Sequence, residues 1–195
     1  MHKLAFSLAL ILSASAVQLN AGPIYAATLA GVNEVPPVIS TATGSATLTL
    51  TGNLLQVTES FSGLIGGAAA AAHIHCCAPP GTNAGVAIPF VGFPSATSGT
   101  YSNTFDLTLL ATYLPAFVTG NGGTAASAET ALIAGLNSGN AYVNIHNATF
   151  PGGEIRGFVV AVPETGSVML LGLGLIAMMM RRQLQRIFPP SLRNS

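Results

Sequence analysis

The chain is 195 residues long with a formal net charge of zero, and only 6% of its residues are charged, against about 25% in an ordinary soluble domain. That length allows one domain of common size rather than two, and the shortage of charge excludes a coiled coil, a polyelectrolyte tail and a basic nucleic-acid binder. Between residues 27 and 162 the one Lys or Arg is Arg156, set against Glu34, Glu59, Asp106, Glu129 and Glu154, a net of −4; without a lysine there, a Walker-type phosphate loop, a Schiff-base lysine and a lysine general base are excluded as well.

In chain order, residues 1–21 follow the secretory pattern. Lys3 precedes the apolar run Leu4 to Leu12, and small residues follow, with an Ala-x-Ala site at Ala14-Ser15-Ala16 and a second cleavage point after Leu19-Asn20-Ala21. This predicts a signal peptide and export.

Residues 28–161 read as one β-rich domain. Ala46 to Leu50 and Leu54 to Phe61 each alternate with period two around a Thr51-Gly52-Asn53 turn, which predicts a hairpin. Further strands are expected at 70–75, 86–91, 99–106, 140–146 and 154–161, separated by Gly, Pro and Asn. Thr108 to Tyr113 reads as a helical turn ended by Pro115. Ala125 to Leu136 reads as a short helix, with Ala128, Ala131, Leu132 and Gly135 at helical spacing. The pattern predicts a mainly β fold, a Greek-key or immunoglobulin-like β-sandwich with a short helical excursion. A signal peptide and a C-terminal hydrophobic helix would flank it.

The residues with chemical potential sit in this domain. Strand alternation turns His73 and His75 to one face and Ile74 to the other. In the same way Tyr142, Asn144 and His146 oppose Val143 and Ile145. If the two strands are neighbours, three imidazoles converge, and neutral imidazoles bind copper or zinc. Cys76 and Cys77 follow His75 directly. For them three readings stay open: soft ligands joining the histidines, a disulfide between the two, or cross-links to another chain. Arg156 is expected to form a structural ion pair with Glu154 or another acid of the domain. No Gly-x-Ser-x-Gly elbow and no nucleophile–base set occurs, so a non-enzymatic protein is expected.

At the C-terminal end, Val162-Pro163-Glu164-Thr165 precedes the 13-residue apolar run Val168 to Met180 and then Arg181-Arg182. As a helix that run reaches only ~20 Å, short of the ~30 Å hydrocarbon core. Residues 162–182 are expected to be a sorting signal with a transmembrane helix, and they resemble the PEP-CTERM sorting tail of Gram-negative bacteria, with Thr165 where a second proline is usual. Residues 183–195 extend past the basic cluster as a tail. The resemblance implies a transient inner-membrane anchor, processing by an exosortase, and delivery to the cell surface or exopolysaccharide matrix.

A second resemblance covers the domain. It is carried by Leu29 to Val38 (LAGVNEVPPV), Ala42-Thr43-Gly44, Ala72-His73-Ile74-His75, Ala78-Pro79-Pro80-Gly81, Tyr142 to His146, and Pro151-Gly152-Gly153-Glu154-Ile155-Arg156-Gly157. As an ordered set these resemble the CHRD domain, which implies an extracellular β-sandwich-like module. The expected function is an exported cell-surface or matrix module, adhesive or envelope-associated. The alternative is a mononuclear copper or zinc protein using His73, His75, His146 and the cysteines.

Overall fold

The computed structural model describes residues 22–163 and a helix over residues 165–187, with side chains along 172–183 of that helix. The expected signal peptide, Glu164 of the sorting segment and residues 188–195 of the tail lie outside the described residues.

The first strand, β1 (Ile24–Ala30), was not among the expected strands. Its Tyr25, Ala27 and Leu29 alternate inward. It pairs with β2 (Thr43–Thr51) on one side, and with β8 (Ile155–Phe158) and β9 (Val160–Val162) on the other. The hairpin of β2 and β3 (Leu54–Ser62) closes at Thr51↔Leu54 through a two-residue turn. There Gly52 sits at φ +58°, a conformation that L side chains disfavour. β4 (Ala69–Cys76), β5 (Val86–Pro89), β6 (Gly99–Asp106) and β7 (Ala141–Asn147) complete the set.

The nine strands form one curled antiparallel sheet in the order β5-β4-β7-β8-β1-β2-β3-β6, with β9 beside β1. This is the mainly β, sandwich-like fold that the alternation predicted. The segment expected as one strand over 154–161 is broken at Val159. That side chain is buried, and its N–H donates to the Ala141 carbonyl, so β8 stays on β7 while β9 passes to β1.

Between β6 and β7 the chain makes the helical excursion. Its proline acts differently from the expectation: Pro115 opens α1 (Pro115–Gly120) at the first turn rather than ending a helix. A missing N–H costs nothing at that position. α2 (Ala125–Asn137) starts at a reciprocal cap between Thr124 and Ser127. It buries Ala128, Leu132, Gly135 and Leu136 against the sheet. One apolar cluster joins both layers, including Leu29, Leu48, Leu55, Ile74, Leu132, Leu136 and Ile145. Burial of each such side chain is worth about 1.5–3 kcal/mol.

The last helix, α3, spans Thr165–Ile187. Among the described residues no helix is long and apolar enough to cross a membrane, which corrects the expected transmembrane helix. The apolar run ends at Arg181 and Arg182 after 13 residues, too early for a span.

Candidate metal centre

β4 and β7 are hydrogen-bonded neighbours. Their register sets His73 opposite Asn144, His75 opposite Tyr142 and Ala71 opposite His146. Ile74, Val143 and Ile145 are fully buried in the core, so strand alternation turns His73, His75, Tyr142, Asn144 and His146 to the other face. On β8, Arg156 lies directly opposite Asn144, and a row His73–Asn144–Arg156 crosses three strands.

This face is not open to solvent as the sequence pattern alone suggests. Segments 31–40, 77–85 and 150–154 close over it, and Tyr142, Asn144 and Arg156 are each 1% exposed. Pro151 and Gly153 supply the local reason. The Pro151 carbonyl accepts a hydrogen bond from His146 Nδ1 at 3.0 Å. Gly153, at φ +123°, has no room for a Cβ, which would lie 2.6 Å from Glu34 Oε1 and as close to the Asn144 amide. A glycine is therefore required there.

The three imidazoles meet. His73, His75 and His146 each bring one ring nitrogen to within 4.8 Å of the others. Ring centroids lie 4.9 Å apart for His73–His146, 5.5 Å for His73–His75 and 5.7 Å for His75–His146. His75 Nδ1 bonds the Ala84 carbonyl at 2.9 Å, and Tyr142 stacks on the His75 ring at 4.7 Å while its hydroxyl reaches the same carbonyl. With Nδ1–H of His75 and His146 given to carbonyls, each keeps an Nε2 lone pair. Those two Nε2 atoms and His73 Nδ1 are buried with no hydrogen-bond partner.

Burial pushes the pKa of His73 and His75 down to about 4, and the neighbouring ring of His146 adds to the effect on both. Burial lowers His146 too, with Arg156 contributing in the same direction. The rings are therefore neutral, the form that ligates metals. Nitrogens on a tetrahedral ion at about 2.0–2.1 Å stand roughly 3.4 Å apart. An ion on all three would therefore need the rings to stand closer together than they do here.

Beside the histidines lies the expected structural ion pair of Arg156, with a different acid from the first one named. Among the described residues Arg156 pairs with Glu34, not Glu154: Nη2 and Nε each reach Glu34 Oε2 at 2.8 Å. Asn144 Nδ2 donates to Glu34 Oε1 at 2.8 Å, Arg156 Nη2 to Asn83 Oδ1 at 2.7 Å, and the guanidinium stacks 4.3 Å over Tyr142. Glu154 is engaged elsewhere. Its carboxylate accepts from Ser40 Oγ (2.6 Å), the backbone of Ile65 (2.8 Å) and Gly66 (3.1 Å), and Asn147 Nδ2. Burial alone would raise its pKa, but these donors together lower it. The bend before β8 aims Glu154 at the 65–66 loop and leaves Arg156 free to face Glu34.

The cysteines stand apart from the histidines. Cys76 and Cys77 form a disulfide with each other. Their sulfurs pack on α2, where a Cβ on Gly135 would lie within 2.5 Å of both. Cys76, next after His75, faces the core, so neither sulfur joins the histidine cluster. Glu34, Asn83 and Ser40 were not expected as site neighbours. They lie in loops without periodicity, and the placing of Glu34 inside the first CHRD-like stretch was the one signal for it. Val162, Pro163, Arg181 and Arg182 of the sorting segment are exposed.

No curated protein and no solved structure matches the chain. The CHRD domain matches residues 25–159, more than half of the sequence and all of the curled sheet up to Val159 except its first residue, Ile24. The chain belongs to the CHRD domain family, whose domain is typical of secreted proteins.

Proposed function

We propose that this is an exported CHRD module that holds a single transition-metal ion, copper or zinc, on His73, His75 and His146. One observation carries the reading. Three buried ring nitrogens without partners face one another, while the opposite nitrogens of His75 and His146 are fixed by backbone carbonyls. Buried acceptors left unpaired are costly, and outer hydrogen bonds that set the tautomer are the usual support of a histidine ligand. All three ligands are imidazoles, which suits copper and zinc better than magnesium or calcium.

The module is read as non-enzymatic and as belonging to the cell surface, envelope or exopolysaccharide matrix. The tail at 162–182, processed by an exosortase-type enzyme, is its address. The sorting-like pattern and the secretory leader support that placement. Deleting residues 162–182 is expected to release the protein from the surface fraction, and unchanged fractionation would contradict it.

The metal reading is tested on protein purified from its native compartment. One copper or zinc per chain is expected by elemental analysis. Adding the ion to metal-stripped protein should raise the melting temperature, because a ligand at 100 times its Kd stabilises the native state by about 2.7 kcal/mol. Absence of stoichiometric metal together with an unmoved melting temperature would overturn it.

A further inference from the structure

We infer that Asn144 is a fourth protein ligand of the ion on His73, His75 and His146, giving its side-chain oxygen Oδ1, and that this closes the site. The inference rests on the metal reading above and adds what completes the ion's coordination.

The strand lattice puts Asn144 among the histidines. It stands directly opposite His73 on the neighbouring strand, where the Cβ atoms of paired residues are about 4.5–5.5 Å apart. On its own strand it is two residues from His146 and on the same face, and it lies diagonal to His75, which faces Tyr142. His75 and His146 sit on either side of the His73–Asn144 row, so their own rows are roughly 13 Å apart along the strands. Their ring centroids are nevertheless 5.7 Å apart. Both rings therefore lean inward, over the row that Asn144 occupies.

The amide is held with its oxygen free. Asn144 is 1% exposed, and its Nδ2 donates to Glu34 Oε1 at 2.8 Å while Arg156 holds Glu34 Oε2. A carboxylate oxygen only accepts, so the end that faces Glu34 is the NH2 end. Oδ1 is left buried without a partner, as are His73 Nδ1, His75 Nε2 and His146 Nε2. Arg156 Nη1, a buried donor that also lacks a partner, makes no bond to it. Four acceptors that cannot satisfy one another are costly in a buried place, and one cation among them satisfies all four. Glu34 does for the amide what the Ala84 and Pro151 carbonyls do for His75 and His146: an outer bond fixes the ligand's orientation. Three imidazole nitrogens and one oxygen suit zinc or copper(II). A site with four protein ligands is of the structural kind, which fits a module without chemistry of its own.

The probe is azide, added to the full chain loaded with one equivalent of Co2+. Azide enters by displacing water from an open position, and with Asn144 bound there is none. The visible bands of the unaltered chain are therefore expected to ignore azide. Asn144→Leu keeps the shape of the side chain and leaves the Glu34–Arg156 pair. It should still bind Co2+, about ten- to a hundredfold more weakly, with bands that azide now shifts saturably. A second measurement needs no variant. On Zn2+ loading of the 15N-labelled chain, the side-chain NH2 resonances of Asn144 should move further than those of any other asparagine, because coordination of Oδ1 draws electrons from the amide. If Co2+ binds and azide shifts the bands of the unaltered chain, or the Asn144 resonances stay in place, the fourth ligand is wrong while the metal reading stands. A folded Asn144→Leu chain that binds Co2+ as tightly and still ignores azide would say the same. If Co2+ does not bind at all, both readings fall together.

Discussion

Arg156 and Glu34 are joined at 2.8 Å although 122 residues separate them in sequence. Each side chain is 2% exposed. The pair ties the loop after β1 to β8, on the same face of the sheet as the histidines.

Removing one member leaves the other as a buried, uncompensated charge. Arg156→Met is therefore expected to destabilise the fold by about 3–5 kcal/mol, and Glu34→Gln by a similar amount. In a double-mutant cycle measured by urea unfolding, the two losses should be strongly non-additive. Additive losses would mean that the pair does not act as a unit.

The histidines give the metal-free protein a pH-sensitive stability with a definite sign. His73 and His75 titrate at about 4 in the fold, below the ordinary value of 6.5. The unfolded chain therefore takes up protons first as pH falls. Their contribution is fully present above pH 6.5 and is lost as pH drops from there towards 4. A His73→Gln/His75→Gln variant should show a smaller fall in melting temperature over that window. Equal falls in both proteins would refute the assignment.

Glu59 works in the opposite direction. It is 1% exposed, neither carboxyl oxygen has a partner, and burial pushes its pKa up to about 8. The fold holds its proton where the unfolded chain has released it, so stability declines as pH rises from about 4.5 to 8. Glu59→Gln keeps the shape without the ionisation. The variant is expected to melt several degrees higher than the parent at pH 8.5 and nearly level with it at pH 4.5. No gain at the higher pH would show that Glu59 is not buried as described.

Gly135 makes the disulfide's seat on α2. Alanine normally favours a helix by about 1 kcal/mol over glycine, yet here its Cβ would lie 2.3 Å from Cys76 Sγ and 2.5 Å from Cys77 Sγ. Gly135→Ala is thus expected to destabilise by about 1–3 kcal/mol through overpacking. In a Cys76→Ala/Cys77→Ala background the penalty should shrink. A penalty unchanged by loss of the sulfurs would place its cause elsewhere in the helix.

Much of the fold is legible locally. The period-two pattern of Leu54 to Phe61 identifies β3, and the helical spacing of Ala128, Leu132 and Gly135 identifies α2. β1 is not legible locally because three of the seven residues of Ile24 to Ala30 are alanine and the strand lies against the leader, where its alternation is faint. The role of Pro115 is not legible locally, because proline can end one helix or begin another and which of the two occurs depends on the chain that follows.

For the site, the sequence by itself determined which residues share a face. That follows from backbone sterics within one strand: His73 and His75 go one way and Ile74 the other, whatever the rest of the chain does. Tertiary structure alone decided that His146 arrives beside them, through the β4–β7 register. It also decided that Arg156 answers Glu34 instead of Glu154, and that the two sulfurs close on each other against Gly135. Those choices turn on contacts between distant segments, where packing and the desolvation of buried charge outweigh any local preference, and no periodicity records them.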